Sequence, residues 1–243
     1  MAGQRRFRGT AWHYARYRPG YPPALFELLR ERFALGPASR VLDVAAGTGL
    51  AAIPLAALCG EVVALDGEPE MLAELEAAAP SNVRTVVRAA EEIDDSLGTF
   101  TLATIARAFH WLERDEVLRR LHPLAPGLAI FGSPAQSGEP WDAVADLAAE
   151  YVGDRRPKHP GETWAEVVER SPYGSCDELA LEADWHWTAD EVVGHTLSLS
   201  WASPAILGDR LGEFERTLRE RIGPGPWTEH VMFEVLLSGG RDQ

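Results

Sequence analysis

The feature that most constrains the fold of this chain is a regular alternation of short apolar runs and helical patterns between residues 40 and 132. Apolar runs too short for buried helices predict strands. These runs span 41–45, 61–66, 83–87, 100–106 and 127–132, with helical patterns at 49–60, 68–79 and 113–124. The alternation predicts an α/β fold with a doubly wound, mainly parallel sheet covered by helices on both faces. Such sheets bind ligands beyond the carboxyl ends of their strands, so we expect functional residues there.

The pattern changes on either side of this region. A proline-led helix is predicted over residues 22–35, and helical patterns follow at 139–152 and 161–170. The run DELALEADWHWT (177–188) has strand character, two further helical segments follow, and TEHVMFEVLL (228–237) predicts a last strand. The two late strands indicate a hairpin-like sheet edge that contains an antiparallel strand. Six of the eight tryptophans follow residue 140; we expect most to pack in the interior and some to line a substrate cavity.

Composition and charge exclude several classes of function. The chain has 243 residues and a formal net charge of −14, from 37 acidic and 23 basic residues, which disfavours nucleic acid as a partner. The basic run at 4–8 is typical of a solvated arm. Lys158 is the only lysine, so a phosphate-binding loop that ends in Gly-Lys-Ser/Thr is excluded. The apolar share of 46% is that of an ordinary globular protein.

Cysteine, histidine and hydropathy patterns bear on the setting of the chain. Cys59 and Cys176 are far apart and suggest no disulfide framework, which favours a reducing cytoplasmic setting. We find no apolar stretch typical of a secretory signal and none long enough to span a bilayer, and we therefore expect no membrane association. The seven histidines show no metal-ligand spacing, so no structural metal is predicted.

The segment RVLDVAAGTGLAAIPLA (40–56) is the strongest candidate for a ligand site. Asp43 ends a predicted strand, and Gly47 and Gly49 lie in the turn before a helix, where backbone amides can approach an anionic group. The glycines could also serve only the geometry of the turn. Asp66 ends the next strand, at a position from which a carboxylate can accept hydrogen bonds from both hydroxyls of a ribose.

Two cofactor classes fit this loop. Gly47, Gly49 and Ala52 satisfy the dinucleotide fingerprint, which would indicate NAD. Asp43 favours the other class, because a loop that surrounds pyrophosphate gains nothing from a carboxylate beside it. A ligand with both an amine and a carboxylate would use the acid and the amides together. The methionine end of S-adenosylmethionine has this chemistry.

At these residues the sequence resembles a known family. DVAAGTG (43–49) is similar to the first motif of the class I S-adenosylmethionine-dependent methyltransferases, small-molecule (methyltransferase type 11-like) branch, with Ala45 in place of the first glycine. Further segments resemble later motifs of that branch: YARYRPGYP (14–22), ALDGEPEML (64–72), RAAEE (88–92) and ARAFHWLE (106–113). The resemblance covers roughly residues 10–135. It implies a Rossmann-like, seven-stranded sheet with an antiparallel last strand and helical insertions.

The resemblance also implies roles for individual residues. The methionine moiety would be surrounded by Asp43, Ala45, Gly47 and Gly49, the ribose would be held by Asp66, and the adenine would lie between Gly67 with Glu68 and Ala90 with Glu91. Ala106, Tyr14 and Arg18 are assigned to the same cofactor site, and Tyr14, Tyr17 and Arg18 are candidates for a closing lid. Two positions depart from the family pattern: Ala89 replaces a frequent aspartate, and LAPGL (124–128) replaces the usual basic-Pro-Gly-Gly turn.

His110 is the candidate catalytic residue, because it follows the fourth predicted strand beside the expected sulfonium. It could equally be a structural histidine next to Trp111. We expect one domain over 1–243: an N-terminal lid and helix (1–35), a cofactor-binding core (36–133), substrate-side insertions (134–227) and a final strand and tail (228–243). Oligomeric state and the methyl acceptor are not indicated by the sequence.

Three functions are compatible with these patterns. The favoured one is methyl transfer from S-adenosylmethionine, giving S-adenosylhomocysteine, to a small-molecule acceptor, as in natural-product tailoring. A protein that binds the same cofactor but catalyses another reaction, such as a cyclisation, would carry the same motifs. An NAD-dependent oxidoreductase is weaker, because the short-chain type needs a tyrosine four residues before its lysine, and Asp154 stands there.

Overall fold

The computed structural model of the chain describes residues 7–133, 136–153 and 161–240. Within these residues it has seven strands, β1 to β7, which are Arg40–Val44, Glu61–Asp66, Val83–Val87, Leu102–Ala106, Gly127–Gly132, Asp177–Trp187 and Trp227–Ser238. The ten α-helices of the same residues, α1 to α10, are Ala11–Tyr17, Pro23–Arg32, Ala52–Ala56, Pro69–Ala78, Arg114–Leu121, Trp141–Val152, Trp164–Glu169, Ala189–Leu197, Pro204–Leu207 and Leu211–Ile222. Each predicted strand is therefore confirmed.

The strands form one sheet in the order β3-β2-β1-β4-β5-β7-β6. Strands β1 to β5 pair in parallel, and β7 pairs antiparallel with β5, with Gly132 opposite Glu234. The chain runs outward from β1 in both directions, so the topological switch lies between β1 and β4, where α/β sheets bind ligands. This arrangement confirms the predicted Rossmann-like methyltransferase fold. The two late strands β6 and β7 are neighbours at the edge of the sheet, as expected, and helices α8 to α10 connect them where two helical segments were predicted.

Strands β1, β2, β4 and β5 are buried on both faces, which explains their nearly continuous apolar sequences, whereas the edge strand β3 is partly exposed. Side chains alternate along β1: Leu42 and Val44 belong to one apolar cluster, and Val41 belongs to another. The first cluster includes Leu118 of α5, and the second includes Leu29 of α2. Helices thus cover the central strands on both faces, and the ends of these strands remain for ligands.

Two helices differ from the sequence prediction. Helix α3 spans only Ala52–Ala56 instead of 49–60, because Gly49 has a φ of +87° and the preceding turn extends to residue 51. Its end is marked by a tight turn in which the amide of Leu58 donates to the carbonyl of Leu55. Helix α1 was not among the predicted helices.

The chain separates into two compact units. The sheet unit comprises residues 20–133, 159–182 and 232–243, and the helical unit comprises residues 1–19, 134–158 and 183–231. Strands β6 and β7 contribute residues to both units. The division between the units at 133 and 134 coincides with one expected boundary, and the prediction of a single domain with its four segments stays a prediction.

The helical unit has its own apolar core around Trp141, Trp187 and Phe214. The indole N–H groups of Trp141 and Trp187 both donate to Oε2 of Glu229, at 3.2 and 2.9 Å. These tryptophans are buried, as predicted for most of the late tryptophans. Helix α1 lies against α8 at Gly194, where a Cβ atom would overlap the ring of Tyr17.

Candidate cofactor site

The turn that follows β1 has the backbone geometry of a ligand-binding loop. Ala45, Gly47 and Gly49 have φ angles of +54°, +56° and +87°. This left-handed region costs a residue with a Cβ about 1–2 kcal/mol. Gly49 is constrained further, because a Cβ there would overlap Cδ1 of Leu75 on α4. The predicted glycines are therefore required by the turn and by its packing on the next helix.

Asp43 lies inside the sheet beneath this loop and is fully buried. The hydroxyl of Thr104 on the neighbouring strand β4 donates to Oδ1 of Asp43 at 2.7 Å. Burial raises the pKa of Asp43 to about 7; the Thr104 hydrogen bond opposes this rise, and the nearby charge of Asp66 adds to it. The carboxyl group is thus held in one orientation by a strand 61 residues further along the chain.

Two buried polar atoms of the site are available to hydrogen-bond a ligand. Among the described residues, neither Oδ2 of Asp43 nor Oγ1 of Thr48 has a hydrogen-bond partner. A buried polar atom without a partner is costly, and such atoms are rare in folded proteins. An ammonium group would satisfy the Asp43 oxygen, and a ligand carboxylate would accept from the Thr48 hydroxyl. The residues present therefore fit the methionine end of S-adenosylmethionine.

Asp66 ends β2 and connects the glycine loop to the start of α4. Its Oδ2 accepts the amide N–H of Gly47, and its Oδ1 accepts the amide N–H of Glu68, both at 2.8 Å. Burial raises the pKa of Asp66, while the amides of Glu68, Gly47 and Gly67 act in the opposite direction. Each carboxylate oxygen can accept more than one hydrogen bond, so the amides orient Asp66 and leave it able to accept from a ribose.

The residues expected around the adenine lie on two neighbouring segments. Gly67 and Glu68 form the turn between β2 and α4 and are partly exposed. Ala90 is buried in a short 3-10 turn after β3. Oε1 of Glu91 accepts the amide N–H of Glu113 at 3.2 Å, so this side chain also ties the turn to the start of α5. That structural role of Glu91 was not foreseen.

Beyond β4, the chain carries three residues of interest. Ala106 is the last residue of the strand, and Arg107 follows it with a φ of +53°. His110 lies in the 3-10 turn Phe109–Trp111, partly exposed, with its ring centroid 4.6 Å from that of Trp111. This contact fits the structural interpretation of His110, and its position after β4 fits the catalytic one. Its role as a base stays a prediction.

Tyr14 and Arg18, the expected lid residues, belong to the helical unit. Nε of Arg18 donates to Oγ of Ser198 at 2.7 Å, and its guanidinium lies 4.8 Å from the ring centroid of Tyr14. Both side chains are therefore engaged with α1 and the end of α8. Their predicted contact with the cofactor stays a prediction, as does the lid role of Tyr17.

Sequence reasoning missed two side chains of the sheet unit that bear on the site. Thr104 was counted as part of an apolar strand, and a polar residue in the middle of that strand was the available signal. Tyr21 belongs to the segment that resembles a family motif, but no role was assigned to it; its ring lies 4.9 Å from that of Phe131 and 4.5 Å from the Arg107 guanidinium.

Metal-binding groups and membrane-spanning helices are the remaining features to consider. Across residues 7–133, 136–153 and 161–240, no group of three or more His, Cys, Asp or Glu residues is arranged to hold a metal ion. In the same part of the chain, no helix has the length and apolar character needed to cross a membrane.

A doubly wound sheet with this strand order, a glycine loop after β1 and a carboxylate at the end of β2 define a nucleoside-cofactor-binding protein of methyltransferase fold. Comparisons with known proteins agree. Residues 41–126 match a family described as a methyltransferase domain. An uncharacterised methyltransferase of Mycobacterium tuberculosis is 39% identical over 121 residues, which cover 48% of this chain and 48% of that relative.

Solved structures extend the similarity over the whole fold. A protein described as a type II methyltransferase of Anaeromyxobacter dehalogenans is 25% identical, with a TM-score of 0.58 over 93% of this chain and 98% of that chain. The magnesium protoporphyrin IX methyltransferase of Synechocystis PCC 6803, solved with S-adenosylhomocysteine, has the same fold at 12% identity and a TM-score of 0.53, covering 94% of this chain and 93% of its own.

Residues 41–126 are thus similar to a methyltransferase domain, and the fold is shared with solved methyltransferase structures. These similarities agree with the resemblance drawn from the sequence motifs. The chain spans about half the length of the curated relatives it matches.

Proposed function

We propose that this protein transfers a methyl group from S-adenosylmethionine to a small-molecule acceptor. The observation that carries the proposal is the buried Oδ2 of Asp43, which has no hydrogen-bond partner among the described residues and lies beside the glycine loop. A dinucleotide pyrophosphate would place negative charge near this carboxylate. An amino acid end places a cation there, which favours S-adenosylmethionine over NAD.

Different residues of the sheet unit would bind different parts of the cofactor. Asp43, Ala45, Thr48 and the amides of the loop would hold the methionine end, and Asp66 would accept from the ribose hydroxyls. Gly67, Glu68, Ala90 and Glu91 would flank the adenine, with Ala106 next to the sulfonium. When bound, the cofactor supplies an electrophilic methyl carbon on a sulfonium that leaves as a neutral thioether. The chain's contribution is to orient this group toward the acceptor, and positioning can lower such a barrier by about 7–11 kcal/mol.

A small molecule is the acceptor that fits the charge of the chain. Its formal net charge of −14 opposes binding to nucleic acid and to anionic membrane surfaces. We expect His110 to accept a proton where the acceptor is a phenol or an alcohol, whereas a carboxylate acceptor needs no base. Replacing His110 with Ala should then reduce kcat far more than cofactor affinity. An unchanged kcat would leave His110 with its structural role beside Trp111.

Two other functions share parts of this site. A reaction without methyl transfer, such as a cyclisation, would use the same cofactor residues, so only the products distinguish it. An NAD-dependent oxidoreductase would use the loop without Asp43. We also propose a reducing cytoplasmic setting, which the free thiols of Cys59 and Cys176 support.

Calorimetric titration tests the cofactor assignment. The wild-type protein and an Asp66→Ala variant are titrated with S-adenosylmethionine, S-adenosylhomocysteine and NAD. Micromolar binding of the first two ligands that is lost in the variant supports the proposal, and binding of NAD alone contradicts it. Incubation with S-adenosylmethionine and an acceptor library, followed by mass spectrometry, then separates methyl transfer (a gain of one methyl group) from other reactions.

A further inference from the structure

We propose that Arg107 is the specificity-determining residue for an acceptor that carries a carboxylate, anchored at the end of β4. The inference rests on the proposed function and names the substrate class of the same site. Arg107 directly follows Ala106, the last residue of β4 and a residue assigned to the cofactor. Acceptors in a sheet of this type bind beyond the same strand ends. An arginine here lies where an acceptor must come close to the methyl carbon.

The backbone of Arg107 is strained, and the strain lies beside the topological switch. Its φ of +53° and the φ of +54° at Ala45 occur just after β4 and β1, which are neighbours in the sheet. Glycine would adopt this conformation without the cost of about 1–2 kcal/mol that a residue with a Cβ incurs. Strain of this kind concentrates at functional sites, where the surrounding structure maintains it. The chain thus retains a long cationic side chain where glycine would be less strained.

The surroundings fix the direction of the side chain. The amide of Arg107 donates to the carbonyl of Phe131 at 2.9 Å, so its backbone continues the pairing of β4 with β5. Its Cγ lies near Gly132, where a Cβ would approach it to 3.8 Å. The guanidinium lies 4.5 Å from the ring centroid of Tyr21 and 5.9 Å from that of Phe233. The side chain therefore crosses the carboxyl end of β5 toward β7.

This arrangement is suited to a carboxylate on an apolar body. The aromatic rings approach the guanidinium carbon through cation–π contacts, while the five N–H donors lie in the guanidinium plane. Nη2 donates to the carbonyl of Gly20 at 3.4 Å, which is a long hydrogen bond. A guanidinium in apolar surroundings binds a carboxylate in a bidentate, charge-assisted manner. In a chain with a net charge of −14, this local positive charge also offsets the general repulsion of an anion.

The alternative is that Arg107 only ties the segment around Gly20 and Tyr21 to the sheet. The two roles differ in what they do to a charged and a neutral ligand of the same shape. A structural arginine affects both ligands equally. A specificity residue affects the anion alone, and its loss leaves cofactor affinity unchanged.

The experiment uses benzoate and benzamide as probes, titrated into the 243-residue protein saturated with S-adenosylhomocysteine and followed by NMR. We expect the wild type to bind benzoate at least about tenfold more tightly than benzamide, as one charge-assisted hydrogen bond would give. Arg107→Gln and Arg107→Gly should abolish this preference, and Arg107→Lys should restore part of it. Arg107→Gly keeps the test valid if the glutamine variant folds poorly, because glycine adopts the observed φ without strain.

A matched control removes the same charge elsewhere. Arg84 is a half-exposed residue of β3 that pairs with Glu61, and Arg84→Gln should keep the benzoate preference. Equal binding of the two probes by the wild type, a preference that persists in Arg107→Gln, or a preference lost in Arg84→Gln would each overturn the proposal. Absence of S-adenosylhomocysteine binding by the wild type would instead contradict the proposed function.

Discussion

The carboxyl edge of the sheet unit and the core of the helical unit use carboxylates in different ways. At the sheet edge, Asp66 accepts two backbone amides, and one oxygen of Asp43 has no hydrogen-bond partner within the described residues. In the helical unit, Oε2 of Glu229 joins the indoles of Trp141 and Trp187. The carboxylates at the sheet edge can still accept hydrogen bonds from a ligand, whereas Glu229 stabilises the core of the helical unit.

The two regions also differ in how far apart their interacting residues lie in the sequence. The cofactor loop and Asp66 lie within residues 43–68, so their relation is visible as a short motif. The Trp141 indole and Glu229 are 88 residues apart. A function encoded locally can be recognised from sequence, and a tertiary network cannot. The following predictions test this difference, from the largest expected effect to the smallest.

The largest effect is expected at Gly49. Gly49→Ala combines backbone strain at a φ of +87° with an overlap between the new Cβ and Leu75. We expect a loss of at least about 3 kcal/mol in the free energy of unfolding, since overpacking adds to strain. Gly47→Ala is the control, because its φ is +56° but no atom lies within 4 Å of a Cβ. Urea denaturation should show a loss of only about 1–2 kcal/mol there. Equal losses would show that packing on α4 is unimportant.

The second prediction concerns the burial of Asp43. Its folded pKa of about 7 lies above its ordinary value of 3.8, so the folded chain retains a proton that the unfolded chain releases between these values. This carboxyl group therefore favours folding at low pH, and the contribution is lost progressively as pH rises from 3.8 to about 7. Raising the pH from 5 to 8 should make Asp43→Asn more stable relative to the wild type by about 2–3 kcal/mol, at 1.36 kcal/mol per pKa unit.

The control for Asp43 is a carboxylate with the opposite shift. Hydrogen bonds from Arg170 hold the pKa of the exposed Asp115 below its usual value. Its contribution to stability is present above the unfolded pKa and is lost only in more acidic solution, so Asp115→Asn should show no pH-dependent difference between pH 5 and 8. Urea denaturation at both pH values measures each variant. A pH-independent difference at Asp43 would mean that this group ionises normally when folded.

The third prediction probes the helical unit. Glu229→Leu leaves the indole N–H groups of two buried tryptophans without their acceptor, and we expect a loss of about 2 kcal/mol in stability. Glu229→Gln retains an acceptor oxygen and should lose less than about 1 kcal/mol. Neither change should alter the affinity for S-adenosylhomocysteine, measured by calorimetry. A weaker affinity in both variants would show that cofactor binding depends on this core as well.

Much of the fold could be predicted, because strands buried on both faces leave uninterrupted apolar runs. Asp43, Gly47, Gly49 and Asp66 could be assigned because they lie at strand ends within a short motif. Thr104 could not, since its role depends on β4 lying beside β1, 61 residues away. The amide contact of Glu91 with Glu113 was missed for the same reason.

The smallest effect is expected at Ala45, where the family usually has glycine. Its φ of +54° strains alanine, and glycine would relieve about 1–2 kcal/mol of strain but lose part of that gain through the greater entropy of the unfolded chain. Ala45→Gly should therefore stabilise the protein by less than about 1 kcal/mol in urea denaturation. Ala34→Gly is a matched control, because Ala34 has a φ of +50°, is exposed and lies just after α2, away from the cofactor loop.

Equal gains in stability for Ala45→Gly and Ala34→Gly would mean that relief of backbone strain accounts for the effect at both positions. The methyl group of Ala45 also packs against the apolar cluster that contains Leu42 and Val44. A loss of stability at Ala45 with a gain at Ala34 would therefore show that this packing outweighs the strain. The cofactor loop would then be stabilised by its contact with the apolar core as well as by its glycines. Packing would in that case stabilise the carboxyl edge of the sheet unit as it stabilises the core of the helical unit, and the two regions would differ less than their hydrogen bonds indicate.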